Sequence, residues 1–465
     1  MSFIYKNKSL NYSIRLLAMI TVLSMNPSCK KFVEVAAPVS LVENSKVFDD
    51  NDGATSAALS VYANMVLSSL YICNGGATLY PALSSDELSY TSSDAEILSF
   101  QNNSIIANNG TGIYTRLWVP GFRNIYFANA VIEGLSNSVN LNDSVKNQLE
   151  GEMLVARAFN YFYLVNLFGD VPLVTSTNYR VNSIMPRTPA NQIYNQLIGD
   201  LLKAEGLLRD EYPSAMKARP NKWTAAALLS RIYLYQKDWV DAEAQASSVI
   251  NSNEYFLESN LDNVFSQSSN ETIWQFANDY RNTGDGATFI PSSSSSRPAY
   301  AITSYLLNAF DSGDLRKEKW IKNNIVGGQT YYYPYKYKIR SSTPVSEYYI
   351  ALRLSEQYLI RAEARAMQND IDGSISDLNL IRARAGLPNT TATDQSSLLS
   401  AILHERQVEL FCEWGNRFFD LKRTGKVNEV LGIIKAPNWQ PTDALYPIPL
   451  SELQNDPSLI QNPGY

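Results

Sequence analysis

Residues 222–250 carry the pattern that most narrows the folds open to this chain. Lys222 to Gln236 has the length and apolar content of a helix, Lys237-Asp238 suits a tight turn, and Trp239 to Ile250 supplies a second helix. Against the roughly 34-residue tetratricopeptide spacing, Leu229, Tyr233 and Ala242 occupy expected positions. Ser230 replaces the small glycine, Ala246 stands where an aromatic is usual, and the terminal proline is absent. A hairpin of this kind leaves an apolar face that only a neighbouring hairpin covers, so one implies others.

Three further pairs fit that requirement. Val145 to Phe168 is long and apolar, and it stops at Phe168-Gly169-Asp170-Val171-Pro172, where glycine takes a cap conformation and proline blocks continuation. Thr188-Pro189 then reads as an N-cap followed by proline in the first helical position, and Ile193, Leu197, Leu201, Ala204 and Leu208 line one face of the helix that follows. Leu352 to Gln368 with Gly373 to Arg384 forms another pair, and Ala54 to Ser69 with Tyr114 to Leu135 a fourth. The expected fold is mainly α: a tetratricopeptide-like scaffold of about four helical hairpins with a few short strands. Thr272 to Phe276 and Tyr331 to Ile339, rich in β-branched and aromatic residues, are the predicted strands. Residues 71–110 and 277–300 read as long polar irregular loops, the kind of segment that a scaffold does not need and that function often uses.

The N-terminus has a different character. Lys6, Lys8 and Arg15 precede an apolar run from Leu16 to Met25, too short to span a bilayer as a helix, and Pro27-Ser28-Cys29 follows. This layout predicts an export signal over residues 1–28 and a lipobox-like site where Cys29 is acylated, although Asn26 stands where an aliphatic residue is usual. Residues 29–48 then form a lipid-anchored tether, and 49–465 a single domain with an N-terminal part to about 260 and a C-terminal part from about 261. Removing three cations and no anion moves the formal charge from −6 to −9, which argues against nucleic-acid binding. Cys73 and Cys412, the two thiols left after acylation, make no disulfide framework, and whether they pair is open.

Few residues suggest chemistry. The single histidine, His404, lacks a recognisable nucleophile motif, and neither a metal-binding cluster nor a phosphate-cradling glycine loop is present, so no catalytic residue, metal site or cofactor is assigned. Glu405, Glu409 and Glu413 recur every four residues and would repel one another unless cations intervene. Arg406, Arg417, Lys422 and Arg423 are close enough in sequence to build an ion-pair lattice, and Glu356 and Glu363 read the same way. Tyrosine is the remaining signal: 29 Tyr outnumber 17 Phe and 7 Trp together. Tyr161 and Tyr163 lie on an apolar helix, Trp118 precedes another with Tyr126 and Ile132 at suitable spacing, and all three should be core. Tyr71, Tyr80, Tyr90, Tyr280 and Tyr300 fall in or beside the two irregular stretches, with Arg281, and are the candidate ligand-binding residues, because a tyrosine ring can stack on a sugar while guanidinium and amide groups bond its hydroxyls.

Taken in order along the chain, these blocks resemble the SusD/RagB family of surface lipoproteins from Bacteroidetes. The resemblance rests on Ser28-Cys29-Lys30-Lys31-Phe32, on Arg157-Ala158 through Phe168-Gly169-Asp170-Val171-Pro172-Leu173-Val174, and on Lys222 to Trp239. It continues through Leu352 to Ala364, Glu405-Arg406 through Gly415-Asn416-Arg417-Phe418-Phe419-Asp420-Leu421-Lys422-Arg423, and Tyr446-Pro447-Ile448-Pro449 to Asn462-Pro463-Gly464-Tyr465. Asn416 stands where the family often has histidine, and only Glu34 is acidic near Cys29. The resemblance implies a non-enzymatic glycan binder held on the outer membrane by its lipid, acting as a lid on a SusC-type TonB-dependent transporter. The alternatives are a peptide-binding helical scaffold and a glycoside hydrolase using the Glu405 to Glu413 carboxylates.

Overall fold

A computed structural model describes residues 47–465 except 109 and 279, so the export signal and Cys29 lie outside the described residues. Phe48–Tyr465 forms one compact unit. It begins with α1 (Asn51–Met65), whose N-cap Asp50 accepts from the Gly53 amide at 2.7 Å. A π-helical turn (Ile72–Gly76) leads into α2 (Ala77–Ser84), β1 (Leu88–Tyr90) and α3 (Ala95–Gln101). A second π-helical segment (Gly110–Trp118) runs into α4 (Val119–Asn137), and α5 (Asp143–Phe168), β2 (Val171–Pro172), α6 (Tyr179–Asn182), β3 (Arg187–Thr188) and α7 (Ala190–Leu207) follow. The helices α8 (Lys222–Gln236) and α9 (Trp239–Asn251) sit where expected, with Lys237 in the left-handed conformation between them.

The second half contains β4 (Thr272–Phe276), α10 (Gly284–Phe289), β5 (Tyr300–Ile302), α11 (Ser304–Ala309) and α12 (Leu315–Trp320). The hairpin β6 (Ile321–Val326) and β7 (Gln329–Pro334), β8 (Tyr349–Arg353), and α13 (Leu354–Met367) with α14 (Ile371–Arg384) come next. The chain closes with α15 (Gln395–Glu409), α16 (Asn416–Arg423), α17 (Val427–Ile434) and α18 (Leu450–Asn455).

The four predicted hairpins are present as packed pairs: α1 on α4, α5 on α7, α8 on α9, and α13 on α14. They join into one stack because α4 also packs on α5, α7 on α8, and α9 on α13. The inner helices are buried on nearly every face, α8 from Thr224 to Tyr235 and most of α5 from Leu149 to Phe168, which is why their sequences show content rather than a clean stripe. The Phe159 ring lies 5.0 Å from Trp274 on β4 and 5.1 Å from Trp414, so aromatic packing ties the stack to the antiparallel β4–β8 pair.

Local signals held to within a few residues, and their departures have physical causes. Gly169 adopts φ +73°, and Asp170 then accepts from the Ala190 amide at 2.8 Å, so the residue that follows the stop signal also caps the next helix. Pro189 is therefore the N-cap itself rather than the first helical residue. The strand predicted at 331–339 ends at Pro334, and Leu352 belongs to β8, not to α13, because it pairs with Trp274. The helix that carries Glu405 ends at Glu409 and does not continue to Glu413, since Cys412, Trp414 and Gly415 all have positive φ and turn the chain.

Residues 71–110 are not the irregular loop that their polar sequence predicts. They contain two helices, a strand and the start of a π-helical segment, and every residue of α2 is buried. Tyr80, expected in a ligand loop, has no exposed surface and packs its ring 4.4 Å from Phe100. The segment reads as polar because Asn74, Ser84, Asp86 and Glu87 are themselves buried and hydrogen-bonded, so polarity there does not mean exposure.

The glutamate ladder is an ion-pair lattice, but with other cations than its sequence neighbours. Glu405 and Glu409 pair with Arg316 at 2.6 and 2.9 Å, Glu409 also with Arg353 at 2.6 Å and Arg384 at 2.5 Å, and Glu413 with Arg353 at 2.8 Å and with Lys336. Arg406 instead pairs with Asp420, Arg417 with Asp86, Arg423 with Glu363, and Lys422 donates to the Asn166 carbonyl. Glu356 is paired with Arg231. His404 meets the Ala309 carbonyl at 2.7 Å, and Cys73 and Cys412 are separate buried thiols. Burial alone would raise the Glu409 pKa, yet Arg384, Arg353 and Arg316 together hold its carboxyl well below the usual range.

Two predictions follow from this packing. Glu409→Gln leaves three buried guanidiniums short of a charge and should cost about 3–5 kcal/mol in urea unfolding at pH 7. Because the Glu409 folded pKa lies below its unfolded value, that cost should be largest above about pH 5 and shrink as the wild-type carboxyl protonates at lower pH. Tyr80→Ala opens a cavity in a closed core and should cost about 3–5 kcal/mol in the same assay, with no selective effect on ligand binding.

Candidate functional site

The most open tyrosine of those singled out lies where three backbone segments converge. After α1 the chain turns through Ser69, with Asn74 holding the turn by donating to the Val66 and Ser68 carbonyls at 3.1 and 3.2 Å. Gly75 has φ +96°, and a Cβ there would stand 3.0 Å from the Asp285 carboxylate. A Cβ on Gly284 would meet the Asn74 side chain at 2.7 Å, and one on Gly286 the Ile339 carbonyl at 2.3 Å. Glycine at these positions lets the segments around 66–76, 280–287 and 339–343 approach one another: at Gly286 a side chain would have to displace backbone, at Gly284 the Asn74 side chain, and Gly75 has a positive φ as well.

The walls so formed enclose a cleft of about 440 Å³, lined by Ser69, Tyr280, Arg281, Thr283, Arg340 and the run Ser341 to Thr343. That volume falls within the range of small-ligand sites. Tyr280 is 91% exposed, and its amide and that of Arg281 donate to the Asn278 side chain at 3.0 and 3.2 Å. The Arg281 guanidinium is fixed by the Val66 and Leu67 carbonyls at 3.2 and 2.8 Å, and Arg340 Nε donates to Ile290 at 3.1 Å. Asn282 clamps the far wall: its Nδ2 donates to the Ser342 carbonyl at 2.9 Å, and its Oδ1 accepts from the Ser346 and Glu347 amides at 3.0 Å each.

The acidic groups nearest this cleft are turned inward. Burial pushes the Asp285 carboxyl up to about 8, against a hydrogen bond from Tyr349, so it is largely protonated at neutral pH. Burial likewise raises Glu347 to about 7, opposed by the Lys338 and Ile339 amides that donate to it.

The candidate residues do not form one site. Tyr280 and Arg281 share the cleft. Tyr71 is half-buried with the Arg123 guanidinium 5.2 Å above its ring. Tyr90 and Tyr300 face each other across the β1–β5 pair with ring centroids 5.4 Å apart, and Tyr300 is mostly buried against Phe289. Tyr80 is core, as above. The cleft also uses Ser69 and the run from Arg340 to Thr343, which lie outside the sequence-predicted candidates. The polar Arg340-Ser341-Ser342-Thr343-Pro344 run is a loop signal that could have found it.

Two other concavities were equally unannounced. One, also about 440 Å³, lies between β1, β5 and the end of α17, with Tyr305 half exposed beside Ser89, Asn102 and Asn438. Lys435 borders it, pushed down to about 8 by burial while donating to the Leu83 and Gln101 carbonyls. The second, about 370 Å³ and more apolar, is lined by Leu234, Trp239, Met367, Leu399 and Leu403 on the helical stack. The carboxylates of Glu405 and Glu409 reach none of these clefts, since both are fully buried in ion pairs. Among the described residues no group of three or more acidic, histidine or cysteine side chains is gathered to hold a metal, and no helix is long and apolar enough to cross a membrane.

Comparison with known proteins places this architecture. A family model described as starch-binding and associating with the outer membrane matches residues 61–234, and the SusD family model matches 272–465. SusD-like protein P2 of Formosa agariphila is 28% identical over 425 residues, covering 78% of this chain and 83% of its own. A SusD superfamily crystal structure from Bacteroides vulgatus superposes with a TM-score of 0.79 at 20% identity, covering 90% of this chain and all of its own. A laminarin-binding SusD-like protein superposes with a TM-score of 0.75 at 25% identity, again covering 90% of this chain and all of its own. With its helical hairpins, its aromatic junction and both halves matched in order, the chain belongs to the SusD superfamily.

Proposed function

We propose that this protein is a surface lipoprotein that captures oligosaccharide or polysaccharide nutrients and delivers them to a TonB-dependent outer-membrane transporter of the SusC type. The observation that carries the binding step is the cleft at Tyr280, where an exposed ring stands beside two anchored guanidiniums and three consecutive hydroxyl residues. A ring face takes the CH-rich side of a sugar, while the polar wall replaces the water its hydroxyls shed. The laminarin-binding relative supports the same ligand class. Affinity for a short glycan should be modest, since stacking gains little per ring and the hydroxyls must desolvate.

The step is binding without bond cleavage, a reading supported by the sealing of Glu405 and Glu409 in the lattice. The lipid at Cys29 would hold the binder at the outer membrane, and the transporter would lie beneath it. A peptide-binding scaffold remains the alternative, favoured by the apolar groove at Trp239 and Leu403.

Calorimetry with a broad glycan panel should find a ligand, and Tyr280→Ala should weaken it about tenfold, the worth of one lost stacking contact, while shifting the melting temperature by less than about 2 °C. Absence of binding across the panel, together with capture of peptides, would transfer the activity to the helical groove. The transporter claim is separate: affinity purification of the tagged, membrane-extracted protein in mild detergent should recover a large β-barrel partner, and recovery of the protein alone would count against it.

A further inference from the structure

The Tyr280 cleft has a charge that the rest of the chain does not prepare for. The chain is acidic overall, with a formal charge of −6, yet the residues lining this cleft include two arginines and no carboxylate. Arg281 and Arg340 are both exposed, and neither forms an ion pair with a described residue.

Both guanidiniums are also held in place. Two carbonyls accept from Arg281 Nη2, and one accepts from Arg340 Nε, which leaves the Arg340 Nη1 and Nη2 donors without a hydrogen-bond partner among the described residues. A fixed planar fork with free donors matches the paired oxygens of a carboxylate or a sulfate better than it matches a single hydroxyl. The acids that could neutralise the cleft from behind do not face it. Asp285 points to Gly75, and Glu347 is turned onto the Lys338 and Ile339 amides.

The second cleft shows what the neutral arrangement looks like. Asp86 and Lys435 border it, but Asp86 is paired with Arg417 and Lys435 is spent on backbone carbonyls, so its remaining lining offers hydroxyls, amides and the Tyr305 ring. An uncharged lining of that kind can serve uncharged sugars. The Tyr280 cleft instead presents two exposed cations and no carboxylate beside an exposed ring, a local field that favours a ligand bringing negative charge.

We infer that the Tyr280 cleft selects anionic saccharides, those carrying carboxylate or sulfate ester groups, through Arg340 and Arg281. This rests on the glycan-binding reading above and narrows it to a substrate class. Tyr280 would carry the sugar ring, the fork of Arg340 the anionic substituent, and Ser341 to Thr343 the neighbouring hydroxyls.

The test uses the full-length protein in mild detergent and three probes by calorimetry: oligogalacturonate for carboxylate, a sulfated galactan fragment for sulfate ester, and laminari-oligosaccharide as the neutral case. At least one anionic probe should bind about tenfold tighter than the neutral one at low salt, and lose about fivefold or more on raising sodium chloride from about 50 to 500 mM. Which of the two anionic probes leads identifies the group recognised. Arg340→Gln should weaken the preferred anionic probe at least about fivefold more than it weakens the neutral one, and Arg340→Lys, which keeps the charge but not the fork, should keep part of that difference. Arg340 is exposed, so unchanged melting temperatures would show that both variants fold. Equal binding of neutral and anionic probes, or an anionic preference untouched by Arg340→Gln, overturns the inference and leaves glycan capture standing. Failure of all three probes, with none found in the broader panel, overturns both.

Discussion

The buried column of Glu405, Glu409 and Glu413 is the constraint around which the C-terminal half of the molecule is organised. Carboxylates without solvent are costly, and each is tolerable only because a guanidinium or ammonium meets it with good geometry. The cations come from α12, β8, α14 and the segment after β7, so the column fastens four separate pieces of chain to α15 and the turn that follows it. Arg353 is the hub: it closes β8 onto Glu409 and Glu413 while its strand pairs with β4. A misplaced element would leave a bare charge in the interior, which is far costlier than the paired arrangement.

That rigid centre bears on the cleft through the backbone. The segment that supplies Lys336 to the column continues through Ile339 to Arg340, Ser341 and Ser342, and Gly286 closes against the Ile339 carbonyl. One wall of the cleft is thus an extension of the buried lattice, and the opposite wall is pinned by the Arg281 contacts to the end of α1. The binding surface is made of loops, but of loops whose ends are anchored to packed elements, so ordering them on ligand binding costs little. The same arrangement explains why polar residues in 71–110 and 277–300 divide into two sets. Some, like Asn74, Asn282 and Asp285, are internal struts, and others, like Tyr280 and Arg281, face outward.

Much of the scaffold was legible along the chain. Helix ends at Gly169 and Lys237, the paired helices at 222–251 and the strand at 272–276 follow from caps, turns and side-chain spacing that act over a few residues. The hidden helix at 77–84 was not legible, because eight buried residues leave too short a run to display a period, and Pro81 and the flanking polar groups imitate a loop. The glutamate ladder showed that a lattice was needed but not its partners, since Arg316 lies 93 residues from Glu409 and Lys336 77 residues from Glu413.

The sequence by itself determined a helical-hairpin scaffold, the demand for cations around three glutamates, and a surplus of tyrosine suited to ring stacking. These are properties of single residues and near neighbours. Only the tertiary structure decided that Tyr80 is core, that Tyr90 and Tyr300 spend their faces on each other, and that Tyr280 stands in a cleft beside Arg340. Exposure and charge compensation depend on which distant segments meet, as when Arg281 reaches carbonyls 214 and 215 residues away, and local pattern does not encode such meetings.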